Sequence, residues 1–155
     1  MSEFTVHPLL KTPTVGVMDV CCRGECRHKS AEECASSTYL VFPYRGVYVR
    51  HVGSAEVVAE ASQVLFFNAD EGYQVSHPVE GGDACLSVSI DHGLLRELAP
   101  KELLQGGEDL AFRHQRLRID PRAQALVAML RHSLRQNVAE RLEAESLALT
   151  LVQRS

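Results

Sequence analysis

Within its 155 residues this sequence has no apolar run near the roughly 18 residues that a membrane-crossing helix needs. Its start, Met1-Ser-Glu-Phe-Thr-Val-His-Pro, lacks the basic opening and apolar stretch of a secretory signal. It has no excess of positive charge either: 16 Lys and Arg against 20 Asp and Glu leave a formal charge of −4. The chain by itself is therefore a poor grip for a nucleic-acid backbone. No phosphate loop, paired-carboxylate signature or nucleophile–base–acid constellation is present. What remains is 45% apolar and 23% charged, the balance of an ordinary globular chain of one-domain length. The expected location is the cytoplasm.

Residues 38–90 read as short strands. Tyr39-Leu40-Val41-Phe42 is an apolar run that ends at Pro43. The segment 46–52 alternates and is rich in β-branched and aromatic residues. Gly53-Ser54 signals a turn before residues 56–59, and 64–67 form another apolar run, closed by the turn-rich segment 68–72. Residues 73–77 and 85–90 complete the set, with a Gly-rich loop between them, and 14–20 adds a strand before it. Many short strands with close turns predict an antiparallel barrel or sandwich.

After residue 91 the period changes to that of helices. A short helix is expected at 91–98, stopped by Pro100. Asp120-Pro121 is a helix start, an acid at the N-cap with proline at the first helical position. From there Ala123, Leu126, Val127, Leu130 and Leu134 share one face. A further helix is expected from about 138 to the end, where no stop signal occurs, which predicts that the natural chain continues. The Arg-rich stretch 113–118 reads as a solvated connector.

Three blocks carry a family resemblance: Val41-Phe42-Pro43-Tyr44-Arg45-Gly46-Val47, then residues 63–73, then Ser76-His77-Pro78 with Gly82-Asp83-Ala84-Cys85. In this order and spacing they resemble the N-terminal domain of one branch of the AraC/XylS-type transcription regulators. The resemblance implies a mainly β, cupin-like antiparallel barrel over residues 1–95 that senses an effector. It implies helices over 96–155 that form a homodimer, and a helix-turn-helix DNA-binding domain that residues 1–155 do not contain. Metal-dependent cupins carry two histidines separated by one residue, then a glutamate and a histidine. Here His51 stands alone in its strand and Tyr73 falls about where the last histidine would be, so the usual cupin metal set is expected to be missing.

Four of the five cysteines crowd into residues 21–34. An odd count in a reducing compartment argues against a disulfide framework. Cys22 and Cys26 have the short spacing of zinc half-sites. If residues 73–89 form a hairpin about Gly81, His77 and Cys85 oppose each other with Cβ atoms about 4.5–5.5 Å apart. Cys22, Cys26, His77 and Cys85 are thus a candidate site for zinc or a similar thiophilic ion. Cys21 and Cys34 are alternatives to Cys26, and His28 is a further one. The plainer reading makes Cys34 and Cys85 small buried hydrophobes. Arg45, Tyr48 and Arg50 are candidates for a ligand pocket, and the remaining histidines read as solvated. The expected partners are a small-molecule or metal effector and a second copy of the chain, with DNA reached only through the absent domain. Two other readings stand beside this one. A stand-alone cupin enzyme is disfavoured by the missing histidine pair, and a thiol switch would use Cys21-Cys22 near Cys26.

Overall fold

Period-two alternation builds most of the chain. In the strand Asp83–Ile90 the side chains of Leu86, Val88 and Ile90 enter one apolar core, while Cys85, Ser87 and Ser89 turn to the opposite side. The strand Val15–Cys22 does the same, with Val15, Val17 and Asp19 buried on one face and Met18 and Val20 on the other. The computed structural model describes residues 4–23, 32–78, 82–99, 101–105 and 111–136. Over these, the strands in chain order are β1 (Phe4–Lys11), β2 (Val15–Cys22), β3 (Glu33–Cys34), β4 (Tyr39–Gly46), β5 (Tyr48–Val52), β6 (Ala55–Ala59), β7 (Gln63–Phe67), β8 (Gly72–Ser76), β9 (Asp83–Ile90) and β10 (Arg116–Arg118). The helices are α1 (His92–Leu98) and α2 (Pro121–Arg135).

The strands form two antiparallel sheets, β1-β2-β9-β4-β7-β10 and β3-β8-β5-β6. The larger apolar core lies not between them but on the outer face of the six-stranded sheet. There Phe42, Phe66, Leu86 and Val88 meet Leu95 of α1 and Ala123, Val127 and Leu130 of α2. The apolar stripe of α2 read from the sequence therefore packs on its own sheet, with Leu126 and Leu134 partly buried at its margins. Both helices start as their sequences dictate. The Asp91 carboxylate accepts from the Leu94 N–H at 3.2 Å, and the Asp120 carboxylate from the Ala123 N–H at 2.8 Å, with Pro121 in the first turn. No described helix is long and apolar enough to cross a membrane. The helix expected beyond residue 137 lies outside the described residues.

Four local expectations are corrected. Residues 73–89 are not a hairpin: β8 pairs with β5 and β3, while β9 pairs with β2 and β4, in different sheets. A strand's alternation fixes which face it buries but not which strand it joins. Pro43 does not end its strand. β4 pairs with β7 only over Tyr39–Val41, and a register irregularity between Pro43 and Arg45 accommodates the missing donor. Residues 116–118 are not free connector but an edge strand on β7, with Leu117 tucked inward between two exposed arginines. β1, which the sequence reading did not include, is an edge strand whose residues 5–8 are exposed, so it carries little apolar alternation.

Candidate functional site

A cavity of about 410 Å³ opens between the two sheets. Met18 and Val20 of β2, with Cys85, Ser87 and Ser89 of β9, form one wall. Tyr48, Tyr73 and Val75 of the four-stranded sheet face them. The volume is that of a small-molecule site, and the lining mixes apolar and aromatic groups with a few polar ones.

An aromatic corner is built from Tyr39, Phe67 and Tyr73. Tyr39 stacks on Phe67 at 5.1 Å between ring centres, and Tyr73 meets Phe67 edge-on at 4.9 Å. Behind it lies Arg50, fully buried, its guanidinium 3.9 Å from the Phe67 ring centre. Arg50 donates to the Phe66 carbonyl at 2.7 Å and to Glu71 at 3.1 Å. Its charge is thus committed to Glu71 and to the rings. Of the pocket candidates, Tyr48 lines the cavity, Arg50 backs it, and Arg45 is exposed on β4 outside the lining. His51 is buried and bonds Ser76 at 2.8 Å.

The sequence-derived metal ligands divide. Cys22 and His77 come together, and the third member beside them is Asp83. Their ligating atoms all lie within 4.8 Å of one another, and all three residues are buried. Cys22 and Asp83 are direct cross-strand partners at the ends of β2 and β9, and His77 Nε2 lies 2.8 Å from Asp83 Oδ2. Cys85 is not in this group: its cross-strand partners are Val20 and Pro43, and the Tyr48 hydroxyl is its hydrogen-bond neighbour. Cys26 and His28 lie outside the described residues. Cys34 is exposed rather than a buried hydrophobe, because two-residue β3 is an edge strand. Asp83 was missed because the Gly81-Gly82-Asp83 run reads as loop. The signal that would have found it is the Cys22–Asp83 register, which a sequence does not display.

Burial pushes the Tyr39, Tyr48 and Tyr73 hydroxyls and the Cys85 thiol upward. These groups stay protonated in the fold after they have ionised in the unfolded chain, where Cys titrates at about 8.5 and Tyr at about 10. Above those values the native state binds more protons than the unfolded one, so stability must fall as pH rises. Urea midpoints are expected to hold up to about pH 8 and to drop progressively by about pH 10.5. A midpoint unchanged across that window would refute the burial of these groups.

On the reverse face of β2 sits Asp19, fully buried. Arg135 Nη1 of α2 reaches it at 2.8 Å and Arg131 Nε at 3.4 Å. The Tyr44 hydroxyl donates to it as well. The Arg131 guanidinium lies 4.3 Å from the Tyr44 ring centre. Burial and the neighbouring Asp19 carboxylate both push the Tyr44 hydroxyl up, so it remains a donor. One strand thus carries cavity wall on one side and the anchor of a helix on the other.

No protein-family model and no curated protein matches the sequence. Solved structures do match the fold. A protein of unknown function from Rhizobium leguminosarum aligns with a TM-score of 0.50 at 12% identity, over 59% of this chain and 85% of that one. A cupin superfamily protein from Desulfitobacterium hafniense aligns at 0.47 and 13%, over 57% and 78%. A cupin domain of an XRE-family transcriptional regulator from Enterobacter cloacae aligns at 0.44 and 13%, over 56% and 95%. At these identities the likeness concerns fold alone: the chain has a mainly β, antiparallel fold, with α1 and α2 following β9.

Proposed function

We propose that this chain is the effector-sensing domain of a bacterial transcription regulator of the AraC/XylS type. A small molecule binds between the sheets, a homodimer forms, and DNA is bound by a domain outside residues 1–155. One observation carries the reading. Met18 and Val20 face the cavity, while Asp19 between them grips α2 through Arg131 and Arg135. A ligand that favours one position of β2 thereby favours one position of α2, which is what a sensor must transmit. Zinc, or a similar thiophilic ion, is the first metal to load at the Cys22, His77 and Asp83 cluster. A small-molecule enzyme is the second reading, favoured by the buried His77–Asp83 pair beside the cavity.

The test is a thermal-shift screen of small ring compounds on the full chain, followed by hydrogen exchange on α2. A binder is expected to raise the melting temperature of the parent and to alter exchange across 121–135. Ser87→Leu, which fills the cavity, abolishes both effects. Arg131→Ala with Arg135→Ala keeps binding but loses the exchange response in α2. A binder that acts equally on Ser87→Leu, or leaves α2 untouched, would overturn the sensing reading. Turnover of a bound compound would favour the enzyme.

A further inference from the structure

The cluster at the end of the cavity has more chemistry than a hydrogen-bonded histidine requires. Cys22 and Asp83, two groups that become anionic, are held face to face by strand register and taken out of water. Close approach is built into the backbone. Gly82 has φ +70°, and a Cβ there would lie 2.2 Å from the Cys22 carbonyl oxygen. The sequence gives up a side chain at this point so that the start of β9 can lie against the end of β2. His77 arrives from the other direction, one residue past β8 of the four-stranded sheet.

We propose that Cys22 Sγ, His77 and the Asp83 carboxylate bind one thiophilic divalent cation whose remaining coordination position opens into the cavity and takes a donor atom of the effector. The inference rests on the sensing reading above for the effector, but not for the metal. A sulfur, a nitrogen and an oxygen donor suit Zn²⁺ or Co²⁺. Bonds of about 2.0–2.3 Å place tetrahedral donors roughly 3.3–3.8 Å apart. Donors already within 4.8 Å of one another need only a small closure to reach that spacing. A cation between them would neutralise the thiolate and the carboxylate together. It would also staple one sheet to the other, because Cys22 and Asp83 belong to the six-stranded sheet and His77 follows the four-stranded one. Among the described residues three protein ligands converge here; three with a fourth position left free is the pattern of metal sites that bind an exchangeable molecule, whereas four protein ligands close a site. His77 and Asp83 both line the cavity, so the free position faces it. The matching ligand class is a small molecule with a metal-seeking oxygen or nitrogen on a largely apolar frame.

The experiment uses the reduced full chain and Co²⁺, whose spectrum reports thiolate ligation and coordination number. One equivalent is expected to be retained after desalting, with a thiolate-to-cobalt band. Cys22→Ser should lose that band, and Asp83→Asn should weaken binding by more than the roughly 10–100-fold that an outer-shell partner is worth. Cys85→Ser should behave as the parent. Azide or imidazole, used as a small donor probe, should then shift the visible bands of the parent. Failure to retain cobalt, or full retention by Cys22→Ser, would overturn the metal site while leaving the effector screen standing. Retention with no response to azide or imidazole, or loss of cobalt in Cys26→Ser, would show a closed site and overturn the open position. Melting curves of the metal-free variants separate loss of the site from loss of the fold.

Discussion

Removing Arg131 and Arg135 together is expected to destabilise the protein by about 3–5 kcal/mol, far more than the two single alanine variants added. The asymmetry follows from who is buried. The Asp19 side chain is 0% exposed, while those of Arg131 and Arg135 are 35% and 42% exposed. Either arginine alone still compensates the carboxylate, so each single variant should cost only about 0.5–1.5 kcal/mol. With both gone, a buried charge is left with Tyr44 as its chief donor. Two arginines freed by Asp19→Leu, by contrast, can turn to water. Asp19→Leu should therefore cost less than the double variant, and Asp19→Leu added to the double variant should recover part of its stability. Chemical denaturation of the parent and the five variants decides it. Additive losses, or a triple variant less stable than the double, would mean that the carboxylate is already hydrated and that α2 is held by its apolar face alone.

The elements were legible because their signals are local. Asp120-Pro121 marked the start of α2, and Gly53-Ser54 marked the β5–β6 turn, where Val52 pairs with Ala55. The faces of β9 were legible from alternation alone. The pairing of strands was not. Cys85 was placed against His77 because seven intervening residues with glycine at the centre look like a hairpin, yet each strand found its partners in a different sheet. That one non-local choice decides which ligands meet. It removes Cys85 from the cluster, brings in Asp83, and keeps Cys22 and His77. Asp19 was passed over for a related reason. One acid in an apolar alternating strand is unremarkable until two arginines more than a hundred residues later fold against it. The cavity, too, has no sequence signature. It exists because the apolar side of the large sheet is spent on α1 and α2, leaving the side that bears Ser87, Ser89 and Cys85 for the space between the sheets.

Leu130→Ala is expected to cost about 2–5 kcal/mol, and the loss should not depend on protein concentration. Leu130 is 0% exposed and lies in the core shared by α2 and the six-stranded sheet. Deleting its side chain removes buried apolar contacts and leaves a cavity that the surrounding core side chains fill only in part. The neighbouring Met129 is 54% exposed on the other side of the same helix, so Met129→Glu should change stability by no more than about 0.5 kcal/mol. Concentration separates the two roles that this stripe can have. If Leu130 covers its own sheet, the melting temperature of parent and variant shifts equally at every concentration. If the stripe leaves the sheet to meet a second copy, unfolding is coupled to dissociation and the parent's melting temperature rises with concentration, while that of Leu130→Ala does not. With Leu130 packed on its own sheet, a homodimer has to be sought on surfaces that α2 does not spend there. Sedimentation of the parent and of Met129→Glu asks that directly: a dimer that survives loss of Leu130 packing but dissociates with Met129→Glu uses the outer face of α2, and a dimer that ignores both lies elsewhere.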